Sequence, residues 1–138
     1  MTESSDWQAV HRALSPFGRL IRVENPACLG TPDVWARLRG VGMWLELKHL
    51  DALPARVETK VRLPKLTIEQ VLWLEAEQAA GGRAWLLLHA GADWFLCAPD
   101  VARGLYEARY TAEELGAACT EHARGAGAVR GLLARLTG

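Results

Sequence analysis

The sequence predicts an α/β protein in which helices are layered on a sheet, and three observations predict it. Read by hydrophobic period and turn chemistry, the elements run helix, three strands, helix, two strands and a helical tail, an order that layers helices on a sheet. The 138 residues suffice for one domain that buries roughly 70% of its unfolded surface, and are too few for two comfortable cores. Half of the residues are apolar and 23% are charged, the balance of an ordered globular chain.

The opening "SSDWQAVHRAL" places Trp7, Val10, His11 and Leu14 on one stripe of a 3.6-residue period, with Ser4 or Ser5 available as N-cap. Pro16 and Gly18 end that helix. "RLIRVE" (Arg19 to Glu24) alternates as a short strand, and "NPACLGTP" is turn chemistry. "DVWARL" and "MWLELKHL" read as two strands joined by "RGVG", where Gly40 and Gly42 can supply positive φ. "DALPARVETKVRLPK" has two prolines and no period, so it reads as a long loop with a short extended piece at "TKVRL". "LTIEQVLWLEAEQAAGG" is the clearest helix: Thr67 and Gln70 match a capping box and Gly81 or Gly82 the C′ position. "RAWLLLHA" and "DWFLCAP" follow as a strand pair turning at Gly91. From Asp100 the chain reads as two or three short helices, with Thr111 as an N-cap and the last helix from about Ala126 to Leu136. Residues 1–99 form the expected core and 100–138 a helical extension of the same domain.

Composition excludes several classes. No run approaches the ~18 apolar residues of a membrane helix, and the first residues have neither a basic nor an apolar leader region, so no membrane association and a cytoplasmic location are expected. Cys28, Cys97 and Cys119 are odd in number, far apart and in no C-x-x-C pair, which suggests neither a disulfide framework nor a zinc site. The formal net charge of zero argues against indiscriminate attraction to polyanions. Locally the balance differs: from Lys48 to Lys65 stand Lys48, Arg56, Lys60, Arg62 and Lys65 against Asp51 and Glu58.

Acidic and basic residues are poor choices inside strands, yet "MWLELKHL" contains both. Alternation places Met43, Leu45, Leu47 and His49 on one face and Trp44, Glu46, Lys48 and Leu50 on the other. Asp33 stands at the entry to the preceding strand, and a hairpin turning near Val41 brings it toward Glu46 and Lys48. Two carboxylates, with the main-chain carbonyl of Leu47, are hard oxygen donors of the kind Mg²⁺ takes. A lysine beside them can orient a water or offset developing negative charge. The chemistry implied is phosphodiester hydrolysis. Each part alone has a plainer explanation: an E-x-K pair is usually a weak surface ion pair, and Asp33 after Pro32 suits a turn. His49 points away from Glu46 and is not expected in catalysis, and the six tryptophans are expected mostly in the core.

Taken together, "GTPDV" (Gly30 to Val34), a glycine hairpin, "ELK" (Glu46 to Lys48) and "VRLPKLTIEQVLWLEAEQAAGGRAWLLL" resemble the PD-(D/E)xK nuclease superfamily, in particular phage-encoded Holliday junction resolvase-like and VRR-NUC-type members. The resemblance spans about Asp6 to Cys97. It implies a restriction-endonuclease-like core, with a central mixed sheet of about five strands flanked by helices and the helical tail outside it. It implies Asp33 and Glu46 as metal ligands with the Leu47 carbonyl, Lys48 as catalytic lysine, and Gln70 as the glutamine many members place beside the site. The capping box explains Gln70 equally well. Members also use an acidic residue on the first helix, for which Glu3 and Asp6 are the candidates. The implied activity is a Mg²⁺-dependent DNA endonuclease, with Mn²⁺ able to substitute, acting on branched DNA as a homodimer in a phage or bacterial recombination or repair setting. Arg56, Lys60, Arg62 and Lys65 would contact phosphates. The alternatives are a nuclease of flaps, ends or linear duplex, and a non-catalytic DNA-binding or phage assembly module. Leu132, Leu133 and Leu136 are candidates for core packing or for a dimer contact.

Overall fold

The computed structural model describes residues 2–138, with Glu3 by its backbone alone. Helix α1 spans Glu3–Leu14 and is capped by Thr2, whose side chain accepts from the Ser5 N–H; a 3-10 turn, Ser15–Phe17, leads into strand β1, Gly18–Arg22. Strands β2, Val34–Leu38, and β3, Val41–Leu50, form the expected hairpin. Leu38 faces Val41, so the turn is the two-residue pair Arg39 and Gly40 with φ of 50° and 81°, earlier than a turn centred on Val41. Gly40 supplies the positive φ, and Gly42 lies inside β3.

A long connection over 51–67 leads to helix α2, Ile68–Ala79, whose capping box between Thr67 and Gln70 is complete. Strands β4, Ala84–Ala90, and β5, Asp93–Cys97, follow, then helices α3, Pro99–Tyr106, and α4, Ala112–Ala118, strand β6, Glu121–Arg124, and helices α5, Ala128–Gly131, and α6, Leu133–Thr137. Among the described residues the sheet therefore has six strands in the order β1-β2-β3-β4-β5-β6, one more than expected. The additional strand is "EHAR", inside what reads as a wholly helical tail; pairing to β5, from Asp93↔Arg124 to Leu96↔Glu121, overrides its weak strand propensity. The β3–β4 pair is parallel, with α2 as its crossover, and the other four pairs are antiparallel, so the sheet is mixed.

Alternation divides the sheet into two packed faces. Met43, Leu45, Leu47, Leu87 and Leu96 join Val10 and Leu14 of α1, Val129, Leu133 and Leu136 of the last two helices, and Leu132 between those helices. Leu86, Leu88, Phe95 and Cys97 join Val61, Leu63 and Leu66 of the long connection, Val71 and Leu74 of α2, and Leu105 and Leu115 of the following helices. Leu132, Leu133 and Leu136 are buried core residues, not a free surface. On the α2 side Arg103 clamps α3 to α2, its Nε and Nη2 donating to the Glu75 carboxylate at 2.6 and 2.8 Å, and these bonds hold Glu75 below its ordinary range. No helix of the described residues is long and apolar enough to cross a membrane.

Candidate active site

The hairpin does what its spacing predicts. Register Val34↔Leu45 carries Asp33 alongside Glu46, and Asp33 Oδ2 accepts from the Leu47 N–H at 2.9 Å. The loop before Asp33 is held close to α2 by Gly30, whose φ is +84° and where a Cβ would come within 2.3 Å of the Glu69 carbonyl oxygen.

Glu46 and Lys48 are buried, at 1% and 5% exposure, which removes the reading of E-x-K as a solvated surface pair. Lys48 Nζ lies 3.3 Å from Glu46 Oε2 and donates to the Lys65 carbonyl at 3.2 Å. Gln70 performs two tasks with one amide: its Oε1 accepts from the Thr67 N–H at 3.0 Å to close the capping box, and its Nε2 donates to Glu46 Oε2 at 3.3 Å. Glu46 Oε1 is buried with no hydrogen-bond partner among the described residues. Burial, then the neighbouring negative charge of Asp33, pushes the Glu46 carboxyl up from its ordinary 4.5 to about 9, against the pull of Lys48. An oxygen left without a partner at this depth is an unusual cost. A divalent cation between the two carboxylates would satisfy that oxygen and neutralise the like charges, so the donor set fits a hard cation.

An open cleft of about 600 Å³ lies beside the trio, lined by Lys48, Lys65, Arg22, His49, Asp51, Thr2 and Ser4 among others. Of Asp33, Glu46 and Lys48, Lys48 alone is in its wall. Of the loop cations, Lys65 lines the cleft, Arg56 and Arg62 are exposed on the long connection, and Lys60 is held by the tail. Lys60 Nζ donates to the Arg109 carbonyl and the Glu114 carboxylate, both at 3.2 Å, and its backbone bridges to Thr111. Trp44, on the Glu46 face, packs against Trp35 and edge-on against Trp73 with ring centroids 5.2 and 5.0 Å apart. Arg22 carries no motif, and only the sheet places it at the cleft.

Of the two acidic candidates on α1, the side chain of Glu3 lies outside the described residues. Asp6 is buried on the other face of β3, where His49 also points, so it does not join Asp33 and Glu46 in a hydrogen bond.

No family model and no curated protein matches the chain. Among solved structures, Hjc of Archaeoglobus fulgidus, a Holliday junction resolvase from an archaeal hyperthermophile, is similar with a TM-score of 0.51 and 20% identity over 72% of this chain and 74% of that one. A VRR_NUC domain is similar with a TM-score of 0.48 and 16% identity over 80% of this chain and 100% of that one. The mixed sheet with helices on both faces is thus a restriction-endonuclease-like fold. It is the fold that the "GTPDV" and "ELK" motifs imply.

Proposed function

We propose that this chain is a Mg²⁺-dependent DNA endonuclease that hydrolyses phosphodiester bonds in branched DNA. The observation that carries the reading is Glu46 Oε1: a buried carboxylate oxygen without a partner among the described residues, next to a second carboxylate and a buried lysine, on a fold shared with a junction resolvase. Asp33, Glu46 and the Leu47 carbonyl would hold the ion, which when bound polarises a phosphoryl oxygen and acidifies water. Lys48, anchored on Glu46 and the Lys65 carbonyl, presents its ammonium to the cleft wall, where it orients the attacking water and offsets charge developing on the phosphate. Gln70 holds Glu46 Oε2 and so presents Oε1 to the ion.

Phosphates are bound by Lys65 and Arg22 at the cleft and by Arg56 and Arg62 along the loop, while Lys60, paired with Glu114, holds that loop to the tail. Two symmetric cuts in a junction require two sites, which is the reason for proposing a homodimer.

The test is cleavage of a labelled four-way junction, beside a flap and a linear duplex, in Mg²⁺, Mn²⁺ or EDTA, with wild type and Asp33→Ala. Paired nicks confined to the junction, supported by Mg²⁺ or Mn²⁺ and lost in EDTA and in the variant, are expected. Cleavage of flaps or linear duplex keeps the ion site and overturns the branched substrate. Binding without cleavage under every ion overturns the enzyme.

A further inference from the structure

Behind β3, on the face away from Glu46, three ionisable side chains from three elements converge. Asp6 comes from the first turn of α1, His49 from the end of β3 and His89 from the end of β4; the parallel register sets the two histidines side by side. Asp6 Oδ2 is 2.8 Å from His49 Nδ1, Asp6 Oδ1 is 2.7 Å from His89 Nδ1, and one ligand atom from each residue lies within 4.8 Å of the others. Asp6 and His89 are 1% and 3% exposed.

We infer that Asp6, His49 and His89 form a binding site for a borderline divalent ion of the zinc type, separate from the hard-oxygen site around Glu46. Two imidazoles and one carboxylate suit Zn²⁺, Co²⁺ or Ni²⁺ and suit Mg²⁺ poorly. A tetrahedral zinc with bonds of about 2.0 Å spaces its ligand atoms about 3.3 Å apart, which falls inside the 4.8 Å within which one ligand atom from each of the three residues lies. Each Nδ1 that binds the ion must carry no proton, and any proton present there passes to solvent on binding.

A second observation points the same way. His49 Nε2 lies 3.2 Å from Asp51 Oδ1, so this ring stands between two carboxylates. A neutral imidazole has one N–H and can donate to one of them. With an ion on Nδ1, the N–H sits on Nε2 and donates to Asp51, the arrangement in which metal-binding histidines are usually held. His89 is fixed by stacking on Trp94 with centroids 4.0 Å apart and planes 9° apart. His49 and Asp51 also line the open cleft, which supplies an entry path and room for water as fourth ligand. A bound ion would pin the start of α1 to the ends of β3 and β4.

The site stands whether or not the chain is a nuclease, and its test does not use cleavage. Protein stripped with EDTA and exchanged into excess Mg²⁺ is titrated with Co²⁺ and then Zn²⁺. One equivalent of Co²⁺ with visible d–d bands is expected, displaced by Zn²⁺. Affinity falls at least about a hundredfold in His89→Ala and His49→Ala and about tenfold in Asp51→Asn, and is unchanged in Glu46→Gln. Should the histidine variants not fold, the ring nitrogens of wild type are read by NMR: Zn²⁺ shifts Nδ1 of His49 and His89 and leaves His11 and His122 in place. Absence of uptake in Mg²⁺, uptake abolished by Glu46→Gln, or an NMR shift confined to His11 or His122 overturns the site. The trio is then a hydrogen-bonded brace.

Discussion

A buried acid lies at each face of strand β3, and the two faces treat it in opposite ways. Glu46 on the α2 face and Asp6 against the α1 face are each 1% exposed. Both oxygens of Asp6 are engaged by imidazole nitrogens, one at 2.7 Å and one at 2.8 Å. Glu46 shares a single oxygen between Lys48 and Gln70, leaves the other without a partner among the described residues, and has a second carboxylate for a neighbour. Burial is equal, so the difference lies in satisfaction. Without an ion the Asp6 trio is closed by its own hydrogen bonds, whereas Glu46 keeps an oxygen that a ligand would complete.

Replacing each acid in turn gives the sharpest break of that comparison. Glu46→Gln is expected to lower junction cleavage by at least about a thousandfold, about 4 kcal/mol of barrier. The same variant is expected to melt higher than wild type in EDTA, because it removes a buried carboxyl crowded by Asp33 and incompletely bonded. Asp6→Ala acts in the other direction. It strips two buried imidazoles of their acceptor, at a cost of about 3 kcal/mol, or about 6–12 °C in melting temperature for a chain of this size. Thermal denaturation by circular dichroism in EDTA reads both. A Glu46→Gln protein that melts well below wild type would show that the carboxylate is a brace after all.

The two faces also differ in how far the sequence discloses them. Asp33, Glu46 and Lys48 are legible because everything that joins them is local: a two-residue turn and period-2 alternation carry Asp33 to the E-x-K strand. Gln70 is legible twice over, as a capping residue and as a motif residue, and the side chain serves Thr67 with its oxygen and Glu46 with its nitrogen. The Asp6 trio is not legible, since it joins residues 43 and 83 positions apart through a parallel β3–β4 register that no local pattern encodes. For the same reason β6 is hidden, because "EHAR" becomes a strand only through the edge of β5. Lys60 looks like any other loop cation until its partner Glu114, 54 residues on, is in view.

Gln70 allows the next test, in which its two tasks are separated. Thr67→Ala removes the cap and leaves the amide free to hold Glu46; it is expected to cost about 1 kcal/mol of stability and little activity. Gln70→Glu keeps the capping box, since glutamate serves at that position, but replaces the donor to Glu46 with a like charge. Cleavage is expected to fall about tenfold or more, and the melting temperature in EDTA to fall as well, because a third carboxylate joins Asp33 and Glu46 and a hydrogen bond to Glu46 is lost. Equal activity in Gln70→Glu and wild type would reduce Gln70 to a helix cap.

The smallest expected effect concerns the cations that surround the α2-face site. Lys65 lines the cleft and Arg62 is exposed on the loop beside it, whereas Lys60 is already engaged by Glu114 and the Arg109 carbonyl. Each phosphate contact made on duplex arms releases counterions, so losing one flattens the plot of log affinity against log salt by about 0.9. In a Glu46→Gln background, which binds without cutting, Lys65→Ala and Arg62→Ala should each flatten the slope by about that amount. Lys60→Ala should leave it unchanged. A surface ion pair with both side chains about half exposed is a weak hold, typically below about 1 kcal/mol. A flattened slope in Lys60→Ala would therefore mean that DNA draws this ammonium away from Glu114, and that the loop comes loose from the tail as the substrate binds.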